Sequence, residues 1–203
     1  MPPMPPITQA LLLINVAVFC IDSFLSHKLS MWFALWPLQS GLFFPWQLLS
    51  YAFLHGGFEH LFFNMLGLWM FGSELERIWG QKRYMHFMAA SALAGGLTQM
   101  VMSQVFGWMS PTVGASGALY GLLLAYGMMF PNRTIMPLIP PIPMKAKVYV
   151  AIFGGLELLL GVMGSGSGVA HFAHLGGMLG GWLMMRYWRG QPPFGAKRGQ
   201  RRR

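Results

Sequence analysis

The chain has 203 residues, of which 55% are hydrophobic and only 9% charged, with a formal net charge of +9. A water-soluble domain of this size carries about 25% charged residues, so most of this surface is expected to face lipid. The basic residues gather at the ends of apolar segments and in the last eighteen positions rather than along a groove, which argues for membrane topology and against a nucleic-acid partner.

Met1 to Pro6 holds four prolines and no charge, so it lacks the basic leader of a signal peptide. The apolar run that follows predicts a first membrane-spanning helix over about 7–26. Cys20 lies in it; as the one cysteine it forms no intrachain disulfide or thiolate cluster, and it is expected to be a small buried residue. Residues 27–58 form a connector carrying Trp32, Phe33, Trp36, Phe43, Phe44 and Trp46 but one basic residue, Lys28. So apolar a loop is expected to lie in the membrane interface and to be partly helical. Further spans are predicted over about 59–79, about 84–106, 116–130 (closed by Pro131), about 146–164 and about 170–188. We divide the chain into a six-helix all-α membrane domain, 1–190, and a basic cytoplasmic tail, 191–203, able to meet anionic lipid head groups.

Charge sorting orients the spans. With the N-terminus inside, the outer loops hold only Lys28. The inner loops and tail hold Arg77, Lys82, Arg83, Arg133, Lys145, Lys147, Arg186, Arg189, Lys197, Arg198, Arg201, Arg202 and Arg203. This asymmetry predicts an even number of spans with both termini cytoplasmic.

Polar residues inside spans are costly and mark function. Three groups stand out, and this topology puts all three at outer ends of spans. Gly114-Ala115-Ser116-Gly117 opens the fourth span. A helix from 116 to 130 is roughly 22 Å long against a hydrocarbon core of about 30 Å, so Ser116 is expected below the outer surface. It would sit at a helix N-terminus, whose free N–H groups suit a developing oxyanion. An ordinary serine N-cap has the same signature.

The second group, Ala173-His174-Leu175-Gly176-Gly177, lies on the sixth span. A histidine there suits a general base. Gly117 and Gly121 on span four, and Gly177 and Gly181 on span six, have the small-xxx-small spacing of close helix contacts. That puts Ser116 and His174 at the same end of one contact, with Tyr120 one turn below Ser116 and able to pack against the imidazole. His171 is a second candidate base; His174 is preferred because it keeps the glycine face. No metal site is expected, because no acidic third ligand is evident beside the two histidines, and no cofactor is implied. The third group, His60 and Asn64, shares one helix face. It could clamp an oxyanion with the Ser116 N–H or simply bond between helices. Glu157, within span five, could pair with a polar group in the bundle or influence how the bundle opens, and the sequence does not decide between these.

From about Pro45 to Gly181 the chain resembles the rhomboid family of intramembrane serine proteases. The resemblance rests on Gly-x-Ser-Gly at 114–117, His-x-x-x-Asn at 60–64, Ala-His-x-x-Gly-x-x-x-Gly at 173–181, and Gly72-x-x-x-Glu76-x-x-x-Gly80. It implies a six-helix bundle with a Ser116–His174 dyad, no third acid, and His60, Asn64 and the Ser116 N–H around the oxyanion. It also implies that His55 orders the first loop and that Glu76 and Arg77 brace inner helix ends. Span five with the loop before His171 would form a lateral gate and cap. The implied partners are transmembrane protein substrates, cut near the outer leaflet after a small residue where the helix unwinds easily. Some members carry Trp-Arg where this chain has Trp46-Gln47, so the first loop must be anchored differently. The alternative is a catalytically silent rhomboid-like protein that binds transmembrane helices. An aspartyl protease needs two aspartates and only Asp22 exists; a His-Glu-x-x-His metalloprotease motif is absent; and a transporter's repeated halves are not seen. The sequence carries no signal of oligomeric state.

Overall fold

The computed structural model of the protein describes residues 3–138, 141–163 and 170–194. Helices occupy all six predicted segments: α1 (Pro6–Phe24), α4 (Phe58–Gly67) continued by α5 (Ser73–Trp79), α6 (Gln81–Phe106), α7 (Ser116–Met129), α8 (Ala146–Met163) and α9 (His171–Trp188). Two short helices, α2 (Lys28–Phe33) and α3 (Gln47–Ser50), lie in the first connector with two 3₁₀ turns. A two-residue ribbon, β1 (Thr134–Ile135) antiparallel to β2 (Met144–Lys145), closes the link between α7 and α8. Among the described residues, α1 and α8 are individually long and apolar enough to cross a membrane, and α7 is a shorter apolar helix.

Two boundaries differ from expectation. The second segment is interrupted by one π-turn, Leu68–Gly72, between α4 and α5. The third helix begins at Gln81, so Lys82 and Arg83 lie in its first turn instead of before it. Gly80, at φ +76°, reverses the chain immediately after α5, and its carbonyl accepts the Tyr84 N–H at 3.1 Å. No separate basic linker remains.

The burial pattern is inverted relative to a soluble protein. On α1 the buried residues are Thr8, Asn15 and Asp22, spaced by seven along one face, while Leu13, Ile14, Val16, Ile21 and Phe24 point outward. On α8 the buried face is Ala146, Val150, Glu157 and Gly161, with Ile152, Leu156, Leu158, Leu159 and Val162 outward. Such a surface suits an apolar solvent. It also explains Cys20, which is exposed on α1 instead of buried: a small apolar residue gains little from leaving a lipid-like exterior.

Three inward-facing acids have partners that join helices or turn the chain. Glu76 accepts the Ile7 and Thr8 N–H groups at 2.9 and 2.7 Å and the Thr8 hydroxyl at 2.7 Å, so a residue on α5 caps the start of α1. Arg77 adds a bond to the Pro3 carbonyl at 2.9 Å. Asp22 accepts the Leu29 N–H at 2.9 Å and the Ser30 hydroxyl at 2.7 Å, turning α1 into α2. At the same end of the molecule as Glu76, the Arg133 guanidinium bonds Glu74 and the Tyr126 hydroxyl, and Arg83 lies over the Trp188 ring.

The first connector is anchored at the position where some members of the resembled family carry arginine. Gln47 is fully buried. Its Oε1 accepts the Trp36 N–H at 3.2 Å, and its Nε2 donates to the Trp32 and Leu42 carbonyls at 3.2 and 3.1 Å. Trp32, Phe44 and Trp46 stay exposed, with Phe44 stacked on Trp46.

Glu76→Ala leaves two backbone N–H groups and a hydroxyl unsatisfied in a buried place. We expect it to cost on the order of 2–3 kcal/mol in detergent unfolding, whereas Arg77→Ala, which loses one exposed bond, costs under about 1 kcal/mol.

Candidate active site

Three helix N-termini, those of α4, α7 and α9, meet at the end of the molecule away from Arg83 and Arg133. The contact between α7 and α9 is made of backbone. A Cβ on Gly177 would collide with the Gly117 carbonyl, and one on Gly181 would lie 3.1 Å from Gly121 Cα. The helices approach this closely only because these positions have no side chain.

The approach brings the Ser116 Oγ to 2.7 Å from His174 Nε2. Ser116 opens α7 and His174 lies in the first turn of α9, buried. Tyr120 lies flat on the imidazole, with ring centroids 4.3 Å apart and planes 7° from parallel. The loop before Ser116 is held from outside: Leu35 and Thr112 exchange two backbone hydrogen bonds at 2.9 Å, and the Gly114 N–H donates to the Tyr51 carbonyl at 2.9 Å. The first connector therefore sets the approach to Ser116. Gly114 has φ +126°, and a Cβ there would meet the His60 ring at 2.7 Å, so both backbone and space require glycine.

His60 thus sits against the strand of chain two residues ahead of Ser116. Asn64, one turn further along α4, is buried, and no acceptor meets its Nδ2 among the described residues. Asn64 and Tyr120 both line a cavity of about 300 Å³ between α4, α7 and α8, whose wall includes Leu119, Tyr149 and Phe153. His55 is buried behind His60, edge-on to its ring at 5.1 Å. Burial, with the positive charge of a protonated His60 second, pulls the His55 imidazole down to about 4.

The sequence left the partner of Glu157 open and showed no acidic group near the histidines. The structure corrects this. Glu157 Oε2 lies 2.7 Å from His171 Nδ1 and 2.9 Å from His174 Nδ1, and its Oε1 accepts the Tyr120 hydroxyl at 2.5 Å. One ligand atom from each of Glu157, His171 and His174 falls within 4.8 Å of the others, the donor set of a zinc site. Both imidazole nitrogens, however, face one carboxylate oxygen at hydrogen-bonding distance. Two ligands on one zinc, each about 2.0–2.1 Å from it, would stand further apart, so the geometry fits direct contact between the side chains better than a shared ion. The signal available in the sequence was a lone acid on an otherwise apolar helix; what it touched depended on the rotation of α8.

The rhomboid domain pattern matches residues 44–190. The chain belongs to the rhomboid family. Among its relatives, rhomboid protein 1, mitochondrial, of Saccharomyces cerevisiae is 32% identical over 146 residues, which is 68% of this chain and 40% of that protein. Rhomboid protease GlpG of Serratia proteamaculans is 29% identical over 185 residues, 90% of this chain and 62% of the relative. Rhomboid protease GluP of Bacillus subtilis is 30% identical over 145 residues, 68% of this chain and 25% of the relative. The chain spans less than two thirds of the length of these relatives. Membership of this family makes it an integral membrane protein, in keeping with its inverted burial.

Two outcomes follow. Gly177→Ala forces a methyl group into the Gly117 carbonyl and should cost on the order of 3 kcal/mol in detergent unfolding, while Gly155→Ala, which meets nothing within 4 Å, should leave stability unchanged. His55 should make stability depend on pH. Its folded value of about 4 lies below the ordinary 6.5, so its contribution is complete above pH 6.5 and disappears as pH falls toward 4. The expected loss is roughly 3 kcal/mol across that window, and His55→Asn should flatten the profile by that amount.

Proposed function

We propose that this rhomboid is an intramembrane serine endopeptidase that cuts transmembrane protein segments near the outer leaflet, with Ser116 as nucleophile and His174 as base. The observation that carries this reading is the 2.7 Å contact between Ser116 Oγ and His174 Nε2. In the forward step the Ser116 hydroxyl gives its proton to Nε2 as Oγ bonds the substrate carbonyl carbon. The carbonyl oxygen becomes an oxyanion at the N-terminus of α7. There the Ser116 N–H, the His60 ring and Asn64 Nδ2 are assigned as its donors; Asn64 brings an Nδ2 not already committed to another acceptor. His174 then returns the proton to the leaving amine. Water then bonds the acyl carbon as it gives a proton to the same nitrogen, and that proton passes to Ser116 Oγ as the Oγ–carbon bond breaks and the acid product leaves. Gly117 and Gly177 support this by letting backbone approach backbone, Gly114 by leaving room for the His60 ring beside the loop, and Tyr120 by holding the imidazole plane. The relatives named as rhomboid proteases favour catalysis over the silent helix-binding alternative.

The same reading takes the chain as six spans, 1–190 with a basic tail from 191, both termini cytoplasmic in a cell's inner membrane. Charge supports it: Arg83 and Arg133 lie at one end and the serine and histidine at the other. The route for substrate lies between α4 and α8, where the cavity beside Asn64 and Tyr120 has a rim of exposed Phe63, Met70 and Leu138. An apolar segment arriving from lipid would meet apolar side chains first and polar donors last. The tail from Lys197 and the loop at 164–169, assigned as part of a cap, lie outside the described residues.

The test is fluorophosphonate labelling of the purified protein, with the adduct mapped by mass spectrometry, beside cleavage of a model transmembrane substrate. We expect one adduct on Ser116 and neither adduct nor cleavage in Ser116→Ala. Turnover by Ser116→Ala at the wild-type rate would remove the assignment. His60→Ala and Asn64→Ala should each slow cleavage by about 10²-fold or more without ending it.

A further inference from the structure

The polar cluster on the far side of His174 is larger than a two-residue mechanism uses. Glu157 is the single acid of α8, is 8% exposed, and points inward while its neighbours Leu156 and Leu158 point outward. A carboxylate in such a place is retained only if its oxygens are satisfied. Its partners come from two helices: Tyr120 of α7 on Oε1, and His171 and His174 of α9 on Oε2.

The imidazole of His174 is therefore bracketed. Nε2 faces the Ser116 hydroxyl at 2.7 Å, and Nδ1 faces Glu157 Oε2 at 2.9 Å. A neutral imidazole has one donor nitrogen and one acceptor nitrogen. A carboxylate beside Nδ1 favours the proton there, leaving Nε2 as the acceptor that a serine hydroxyl needs. When His174 takes the serine proton, the imidazolium forms 2.9 Å from a negative charge. At 2.9 Å the Nδ1···Oε2 contact is short but falls outside hydrogen-bond geometry, and such contacts tighten when substrate is bound. Tyr120 serves both partners, its ring on the imidazole and its hydroxyl on the carboxylate. His171 holds the same carboxylate oxygen from the side, which makes it a brace for Glu157 and leaves Ser116 to His174.

We propose that Glu157 is a positioning residue for catalysis, the acid of a Ser116–His174–Glu157 relay that sets the tautomer and orientation of His174. The proposal rests on the reading of Ser116 and His174 as the reacting pair, and it goes against the resemblance, which implies no third acid. A rival role is mechanical: Glu157 ties α8 to α7 and α9, so it could be a latch on the substrate route.

Kinetics with a transmembrane substrate, and labelling by a small fluorophosphonate that needs no wide opening, separate the two. Glu157→Gln keeps size and an acceptor oxygen but removes the charge. We expect its kcat to fall between about 10²- and 10⁴-fold with KM within about twofold, its phosphonate labelling to slow in parallel, and Glu157→Asp to recover part of the loss. Labelling and turnover of Glu157→Gln at wild-type rates, or faster turnover as a released latch would give, overturns the proposal. A second measurement needs no Glu157 variant: nitrogen-15 NMR of the wild-type protein, with His174 assigned by its loss in His174→Gln. The neutral ring should carry its proton on Nδ1, and a proton on Nε2 overturns the proposal. Wild type that labels at Ser116 while Glu157→Gln matches it defeats this inference alone; wild type that neither labels nor cleaves defeats the underlying reading.

Discussion

The site depends on two helices touching backbone to backbone. Ser116 and His174 stand on α7 and α9, and their side chains are short. An interface of ordinary side chains keeps helix axes about 8–10 Å apart. Here Gly177 rests on the Gly117 carbonyl and Gly181 on Gly121. Everything placed at the open end of that contact inherits its precision: the hydroxyl against Nε2, the Tyr120 ring on the imidazole, and the Gly114 loop against His60. The first connector adds a second constraint by pairing Leu35 with Thr112 and Tyr51 with Gly114, so the serine is held both from beneath and from the side.

Placing polar chemistry inside an apolar solvent imposes the rest of the architecture. Thr8, Asn15 and Asp22 of α1, Gln47 of the connector and Glu76 of α5 all turn inward, and most meet backbone groups that would otherwise be orphaned. Glu76 capping α1 and Gln47 holding three backbone groups of the connector are the clearest cases. Gln47 also shows that a buried amide, with an acceptor oxygen and two donor N–H groups, is enough to organise a loop without a charge. The cluster of Tyr120, Glu157, His171 and His174 follows the same logic at greater depth of consequence, because one of its members faces the serine.

Much was legible from order along the chain. The positions of the six helical segments follow from the length and punctuation of apolar runs, and the glycine spacings on α7 and α9 and the shared face of His60 and Asn64 from a spacing of four, a property of one helix at a time. Charge asymmetry gave an orientation in the same way. The expectation for Cys20 failed because burial rules learned from water do not hold where the exterior is apolar. The π-turn at Leu68–Gly72 left no mark that periodicity reads.

The sequence by itself determined the class of the protein, its apolar spans and the identity of the serine and histidine candidates, since composition and local spacing carry that information. Only the tertiary structure decided which partners those residues face. Glu157 could have faced lipid, α7 or α9 according to the rotation of α8 about its axis. That rotation is set by the summed packing of Ala146, Val150 and Gly161 against other helices, and no local pattern records it.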